Sequence, residues 1–200
     1  MEFSDFNLMK NADGLLPVVV QDARTLRVLM LGYMNKEAFE KTSESNLVTF
    51  FSRSRQSLWT KGETSGNYLH VARIFADCDA DTLLIQAIPD GPTCHRGTPA
   101  CWDTPETDGF LFELEQCIQD RHKRMPLGSY TTYLFEKGLN RMAQKVGEEA
   151  VETIIEATSE NRAKYIEEAA DLLYHLLVLN EQMGVSLTDL QTELLSRHKK

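Results

Sequence analysis

The stretch TPETDGFLFELEQCIQDRHKRM, residues 104–125, decides how this chain is built. It begins with six polar or turn-forming residues, TPETDG (104–109), and then switches to apolar positions that recur every three or four residues, the spacing of a helix that hides one face. Upstream of it the pattern is that of strands. LLPVVVQDA, RVLMLGYM, LVTFFSRS, SLWTKG, YLHVARIFA and DTLLIQAI are short β-branched and aromatic runs between residues 15 and 88, separated by turn formers. One helix interrupts them: Asn35 is the expected N-cap of KEAFEKTSES, with Ala38 and Phe39 turned to the sheet. Downstream, helical segments are expected over 110–125, 129–157 and 162–183, with a short one after Ser186. Cys117, grouped with Leu111, Leu114 and Ile118, is expected in the core. The fold class is therefore two domains: an α+β, mostly β, N-terminal domain over 1–108 and an all-α C-terminal domain over 109–200, with TPETDG as the linker.

Both parts are acidic, with ten basic residues against fifteen acidic over 1–108 and eleven against fifteen over 109–200. A face that binds the phosphate backbone of nucleic acid needs the opposite balance, so no nucleic-acid partner is expected. A phosphorylated ligand would be met through a divalent cation. No apolar run reaches the roughly 18 residues of a membrane span. The N-terminal residues lack the basic and apolar regions of a secretory signal, which points to a cytoplasmic protein whose four cysteines are thiols.

Three groups of residues carry chemistry. If DCDAD (77–81) lies on or just before a strand, alternation sets Asp77, Asp79 and Asp81 on one face and Cys78 on the other. Three adjacent carboxylates repel unless a hard cation such as Mg²⁺ or Ca²⁺ sits between them, and the alternative is a solvated acidic turn. An EF-hand is excluded, because its sixth and twelfth positions would be Thr82 and Ile88 rather than Gly and Glu. Cys78, Cys94 and Cys101 are three soft ligands that suit Zn²⁺ with a fourth position open, and His95 is either a fourth ligand or a proton-transfer group. Arg53, Arg55 and Lys61 lie among hydroxyl residues in FFSRSRQSLWTKGETSGN (50–67), a mixture that suits phosphate but also suits a charged hairpin.

The helical part adds Glu149 and Glu152 in KVGEEAVETIIEA, and Glu168 and Asp171 in EEAADLLYHLLVL. Residues three apart share a helix face. On the first helix Lys145, Glu149, Glu152 and Glu156 would equally serve as a wet side opposite Val146, Ala150 and Ile154. On the second, Glu168, Asp171 and His175 are flanked by Leu172, Val178 and Leu179, and positions 172–179 read as buried all round, by this chain or a partner. Buried acids need a cation, so two facing E-x-x-E/D pairs would make a Mg²⁺ cage for a polyphosphate.

DCDAD, GPTCHRGTPAC and LWTKGETSGN closely resemble phosphoribosyl-AMP cyclohydrolase across roughly 14–103, and QKVGEEAVE with EEAADLLYHLLVL resembles phosphoribosyl-ATP pyrophosphohydrolase across roughly 110–200. Fused in this order they are similar to a bifunctional hydrolase of histidine biosynthesis. The resemblance implies an enzyme with small-molecule nucleotide substrates. The helical domain would cut phosphoribosyl-ATP to phosphoribosyl-AMP and pyrophosphate, and the first domain would open the adenine ring at N1–C6 with a zinc-activated water. It also implies Mg²⁺ on Asp77, Asp79 and Asp81, and Zn²⁺ on Cys78, Cys94 and Cys101 contributed across the interface of a homodimer. His95 would move the proton, and Arg53, Arg55 and Lys61 would contact phosphate. A second Mg²⁺ site would comprise Glu149, Glu152, Glu168 and Asp171, with Lys145 and Glu148 as catalytic groups. Two other readings remain: a general nucleoside triphosphate pyrophosphohydrolase in the helical half, and a zinc-stabilised binding module with a helical dimerisation domain.

Overall fold

Leu16, Val18 and Val20 alternate with half-buried neighbours along the first strand and are wholly buried, so one face of that strand must meet a core. The computed structural model describes residues 2–10, 13–104, 107 and 109–198. The chain divides into two units, Met1–Phe110 and Leu111–Lys200. The expected linker falls in part on residues 105, 106 and 108, which lie outside the described residues.

In the first unit the strands are β1 (Leu16–Asp22), β2 (Val28–Met34), β3 (Thr49–Ser52), β4 (Ser57–Thr60), β5 (Leu69–Ala76) and β6 (Leu83–Pro89). All six were expected. Four of them form a sheet in the order β2-β1-β6-β5, in which β1 and β6 run parallel and the outer pairings are antiparallel, while β3 and β4 form a separate hairpin. Leu83, Ile85 and Ala87 of β6 continue the buried face begun by β1. Helix α1 (Lys36–Ser45) starts as the sequence requires, with the Asn35 side chain accepting from the Ala38 N–H at 2.9 Å. Ala38 and Phe39 are buried, as expected. Thr42 ties the helix to β3, its hydroxyl accepting from the Thr49 N–H at 2.9 Å. A Cβ at Gly32 would come within 2.3 Å of the buried Phe50 ring, so the hairpin reaches the sheet only because β2 carries glycine there. The Phe50 ring lies 5.0 Å from that of Trp59 on β4.

The second unit is helical: α2 (Phe110–Arg124), α3 (Tyr130–Lys137), α4 (Leu139–Thr158), α5 (Arg162–Met183) and α6 (Leu187–His198). The single helix expected over 129–157 is two, because Gly138 adopts φ +79° and its N–H turns back to the Leu134 carbonyl. Ile118, Leu134, Phe135, Met142, Leu177 and Val178 form the core of this unit. Cys117 is only half-buried beside Ile118, and Leu111 is exposed, so that face of α2 is less deeply covered than its spacing suggests. Helix α5 is likewise not buried all round within one chain, since Leu173 is 48% exposed.

Candidate functional sites

The acidic stripe does not lie on a strand. β5 ends at Ala76 and β6 begins at Leu83, and the turn between them takes a left-handed residue at Ala80, φ +57°. The Asp77 side chain accepts from the N–H groups of Asp81 and Thr82 at 2.9 and 3.1 Å, and this curls the segment. Alternation is therefore the wrong reason for the grouping, yet carboxylate oxygens of Asp77, Asp79 and Asp81 still lie within 4.8 Å of one another. The donor set is all oxygen, which fits a hard cation.

The sulfur ligands are held by the loop that follows β6. The Cys94 N–H donates to the Thr98 carbonyl and Gly97, at φ +81°, returns its N–H to the Cys94 carbonyl, while the Cys101 N–H is anchored on Leu29 of β2. The backbone N–H of Arg96 and the Thr98 hydroxyl point at the Cys94 sulfur and lower its pKa to about 7. Burial raises that of Cys101, as does the negative charge of Cys94 beside it. Such a pair fits a soft divalent cation. Cys78 stays exposed on the β5–β6 turn, and among the described residues it joins no group of three donors with Cys94 and Cys101 in one chain. His95 is exposed, its Nδ1 3.9 Å from the Cys94 sulfur.

A cavity of about 570 Å³ opens beside these thiols, lined by Arg55 and Lys61 from the predicted basic segment and by His95. Arg53 is placed elsewhere, its guanidinium 3.8 Å from the centre of the Tyr33 ring. Trp59, Asn67 and Thr93 also line the cavity and were not singled out in the sequence. Asn67 bridges to the thiol loop through the Pro92 carbonyl at 3.2 Å. All three sit inside the motifs that drew attention to their neighbours, but no charge or period marks them.

In the helical unit, Glu149 of α4 and Glu168 and Asp171 of α5 bring carboxylate oxygens within 4.8 Å. Glu152 stands outside that trio but close enough to act on it, because burial, then Glu152, Glu149 and Asp171, raise the pKa of Glu168. Crowded acids of this kind fit a bound divalent cation. The wet side offered by the sequence for α4 holds only in part: Glu152 is exposed and Val146 and Ala150 are half-buried, but Glu149 is buried and Ile154 is 62% exposed. Lys145 clamps Glu149 and lies 3.1 Å from Glu148, and these two acids hold its pKa above the ordinary value. Lys145 in turn lowers that of Glu148. Arg141 and Gln144 also donate to Glu148, at 3.4 and 2.7 Å. His175 is buried, and burial lowers its pKa.

Comparison with known proteins assigns both units. Residues 30–103 match the family model of phosphoribosyl-AMP cyclohydrolase, and residues 111–198 that of phosphoribosyl-ATP pyrophosphohydrolase. The chain is thus an enzyme of two hydrolase domains, a cyclohydrolase followed by a pyrophosphohydrolase. The histidine biosynthesis bifunctional protein HisIE of Bacteroides thetaiotaomicron is 56% identical over 196 residues, covering 97% of this chain and 95% of its own. That of Xylella fastidiosa strain Temecula1 is 57% identical over 188 residues, covering 94% and 90%. That of Escherichia coli strain K12 is 54% identical over 191 residues, covering 95% and 94%. The chain belongs to this family of bifunctional histidine-biosynthesis enzymes.

Proposed function

We propose that residues 109–200 hydrolyse the α–β phosphoanhydride of phosphoribosyl-ATP and that residues 1–108 open the adenine ring of the resulting phosphoribosyl-AMP at N1–C6, giving the phosphoribosylformimino-AICAR-phosphate product. The observation that supports this reading best is that each matched family falls on a unit with its own donor cluster, sulfur and oxygen in one and carboxylates in the other.

In the helical unit Glu149, Glu168 and Asp171, with Glu152 at the edge, would hold Mg²⁺, which would offset the charge of the triphosphate. Glu148, kept ionised by Lys145, accepts the proton of the attacking water. Lys145 compensates the charge that develops on the leaving phosphate. In the first unit Cys94 and Cys101, with Cys78 of a second copy, would hold Zn²⁺, which would supply a Lewis acid able to bring the pKa of water to about 7. His95, which lines the cavity, carries a proton from the water to the departing ring nitrogen. Asp77, Asp79 and Asp81 would hold Mg²⁺, and Arg55 and Lys61, which line the cavity, would face the phosphates, whereas Arg53, stacked on Tyr33, is left without a phosphate role.

The chain works as a cytoplasmic homodimer in this reading, with small nucleotides as its ligands and neither nucleic acid nor membrane as a partner. Val151, Ile154 and Ile155 of α4 and Ile166 and Leu173 of α5 leave an apolar side for the second copy, and Cys78 needs one. No helix among the described residues is long and apolar enough to cross a membrane.

The test is a mass spectrum of the products formed from phosphoribosyl-ATP with Mg²⁺ and trace Zn²⁺. The ring-opened product is expected; phosphoribosyl-AMP alone would remove the first half of the proposal, and unchanged substrate both. Hydrolysis of dCTP or dUTP in preference to phosphoribosyl-ATP would replace the helical unit's substrate.

A further inference from the structure

A second cavity in the helical unit, of about 390 Å³, lies at the start of α3 and is lined by Leu127, Ser129, Tyr130, Thr132, Tyr133 and Glu136. Its walls are matched to a flat, largely apolar object. The Tyr130 and Tyr133 rings are nearly parallel, at 19° with centroids 6.1 Å apart, and both are more than two-fifths exposed although they are large aromatics. Thr132 is 95% buried, and its hydroxyl has no hydrogen-bond partner, a condition that costs free energy until a ligand supplies one. Its backbone N–H is already used by the Ser129 side chain, so only the hydroxyl remains to be satisfied. Glu136 puts a carboxylate at the wall, which repels a phosphate and attracts an N–H donor.

The cavity also has a direction. Tyr130 meets the His175 ring edge-on at 5.8 Å, and His175 Nε2 stands 3.7 Å from Glu149 Oε1. The aromatic walls are thus one ring away from the carboxylates proposed to hold the polyphosphate. We infer that this cavity is the nucleobase subsite of the pyrophosphohydrolase: it takes an amino-substituted purine stacked on Tyr130 and Tyr133, with its exocyclic N–H on Glu136 and a ring nitrogen on the Thr132 hydroxyl. This deepens the function proposed above and rests on it. Tyr133, Thr132 and Glu136 touch the base and not the reacting phosphates, so they set affinity and base selectivity.

The experiment is steady-state pyrophosphate release from phosphoribosyl-ATP, and from its inosine counterpart with a carbonyl in place of the amine, by the full-length chain and by Tyr133→Leu, Glu136→Gln and Thr132→Val. KM for phosphoribosyl-ATP is expected to rise about tenfold in Tyr133→Leu and Thr132→Val with a smaller change in kcat. Glu136→Gln is expected to narrow the preference for the amino purine over the inosine counterpart. Glu136 and Tyr133 are exposed, so their variants report even where Thr132→Val fails to fold. KM and base preference within a factor of about two of the parent in all folded variants would overturn the subsite. Added AMP is expected to compete with substrate; noncompetitive inhibition abolished by Tyr133→Leu would assign the cavity to a separate nucleotide and overturn the inference. A parent enzyme that releases no pyrophosphate from phosphoribosyl-ATP would instead overturn the function proposed above.

Discussion

The Nε2 of His175, on α5, stands 3.7 Å from the Oε1 of Glu149, on α4, and both side chains are about 95% buried. Burial lowers the pKa of the imidazole, and the partner that clamps Glu149 is Lys145 of its own helix.

Glu149→Gln is therefore expected to lower pyrophosphate release about 100-fold, and Glu152→Gln, outside the closest trio, about tenfold. Ring opening of supplied phosphoribosyl-AMP should survive in both. Coupled pyrophosphate and absorbance assays on the same preparations measure the two reactions; equal effects of the two substitutions would contradict the ranking.

Cys94→Ser removes the sulfur whose negative charge the Arg96 N–H and Thr98 hydroxyl stabilise. Ring opening should fall about 100-fold or more while pyrophosphate release stays intact. Elemental analysis should find about one zinc per chain in the parent and markedly less in the variant. An active parent free of zinc would refute the assignment of the thiols.

The outward apolar side of α4 and α5 predicts association. Ile154→Asp places a charge on that side, where the parent residue is 62% exposed in one chain, and should shift sedimentation equilibrium towards the monomer. Under the proposed sharing of Cys78 between two copies, ring opening should decline in parallel. A variant that sediments as the parent does would place the contact elsewhere.

Asp189 offers a pH test away from either site. Its carboxylate accepts from the Ser186 N–H and hydroxyl at 2.8 and 2.6 Å, and these bonds lower its pKa from the ordinary 3.8. A lowered folded pKa stabilises above the ordinary value and stops doing so as pH falls through the lowered one. Asp189→Asn should therefore loosen α6 relative to the parent at neutral pH, and the difference should vanish in strong acid. Amide hydrogen exchange along α6 at both pH values reads this out.

The six strands and α1 were legible because each depends on local pattern: period two in Leu16, Val18 and Val20, and an Asn35 cap. The break at Gly138 was not, since a glycine within an apolar helical pattern is tolerated as often as it stops a helix, and only tertiary packing of Leu134 and Met142 decides. The inward and outward sides of α4 were open in the sequence because Lys145 and Glu149 carry charges that belong to solvent unless they are paired. Pairing across helices cannot be read from spacing on one. DCDAD, read as lying on or just before a strand, gave the right neighbours for the wrong reason: a turn, and not the alternation of a strand, gathers the carboxylates. Tyr130, Thr132 and Tyr133 went unnoticed since aromatics and threonines at a helix start usually signify packing alone.

That turn has a kinetic side. Asp77 closes on Asp81 and Thr82 through contacts four and five residues away, so gathering the oxygens requires only a short loop to form, at small entropic cost and on the timescale of hairpin formation. The thiol loop, by contrast, is fixed by Cys101 reaching Leu29, a contact distant along the chain. The carboxylate cluster thus depends on local closure alone, whereas Cys94 and Cys101 reach their places only once the loop after β6 has docked on β2.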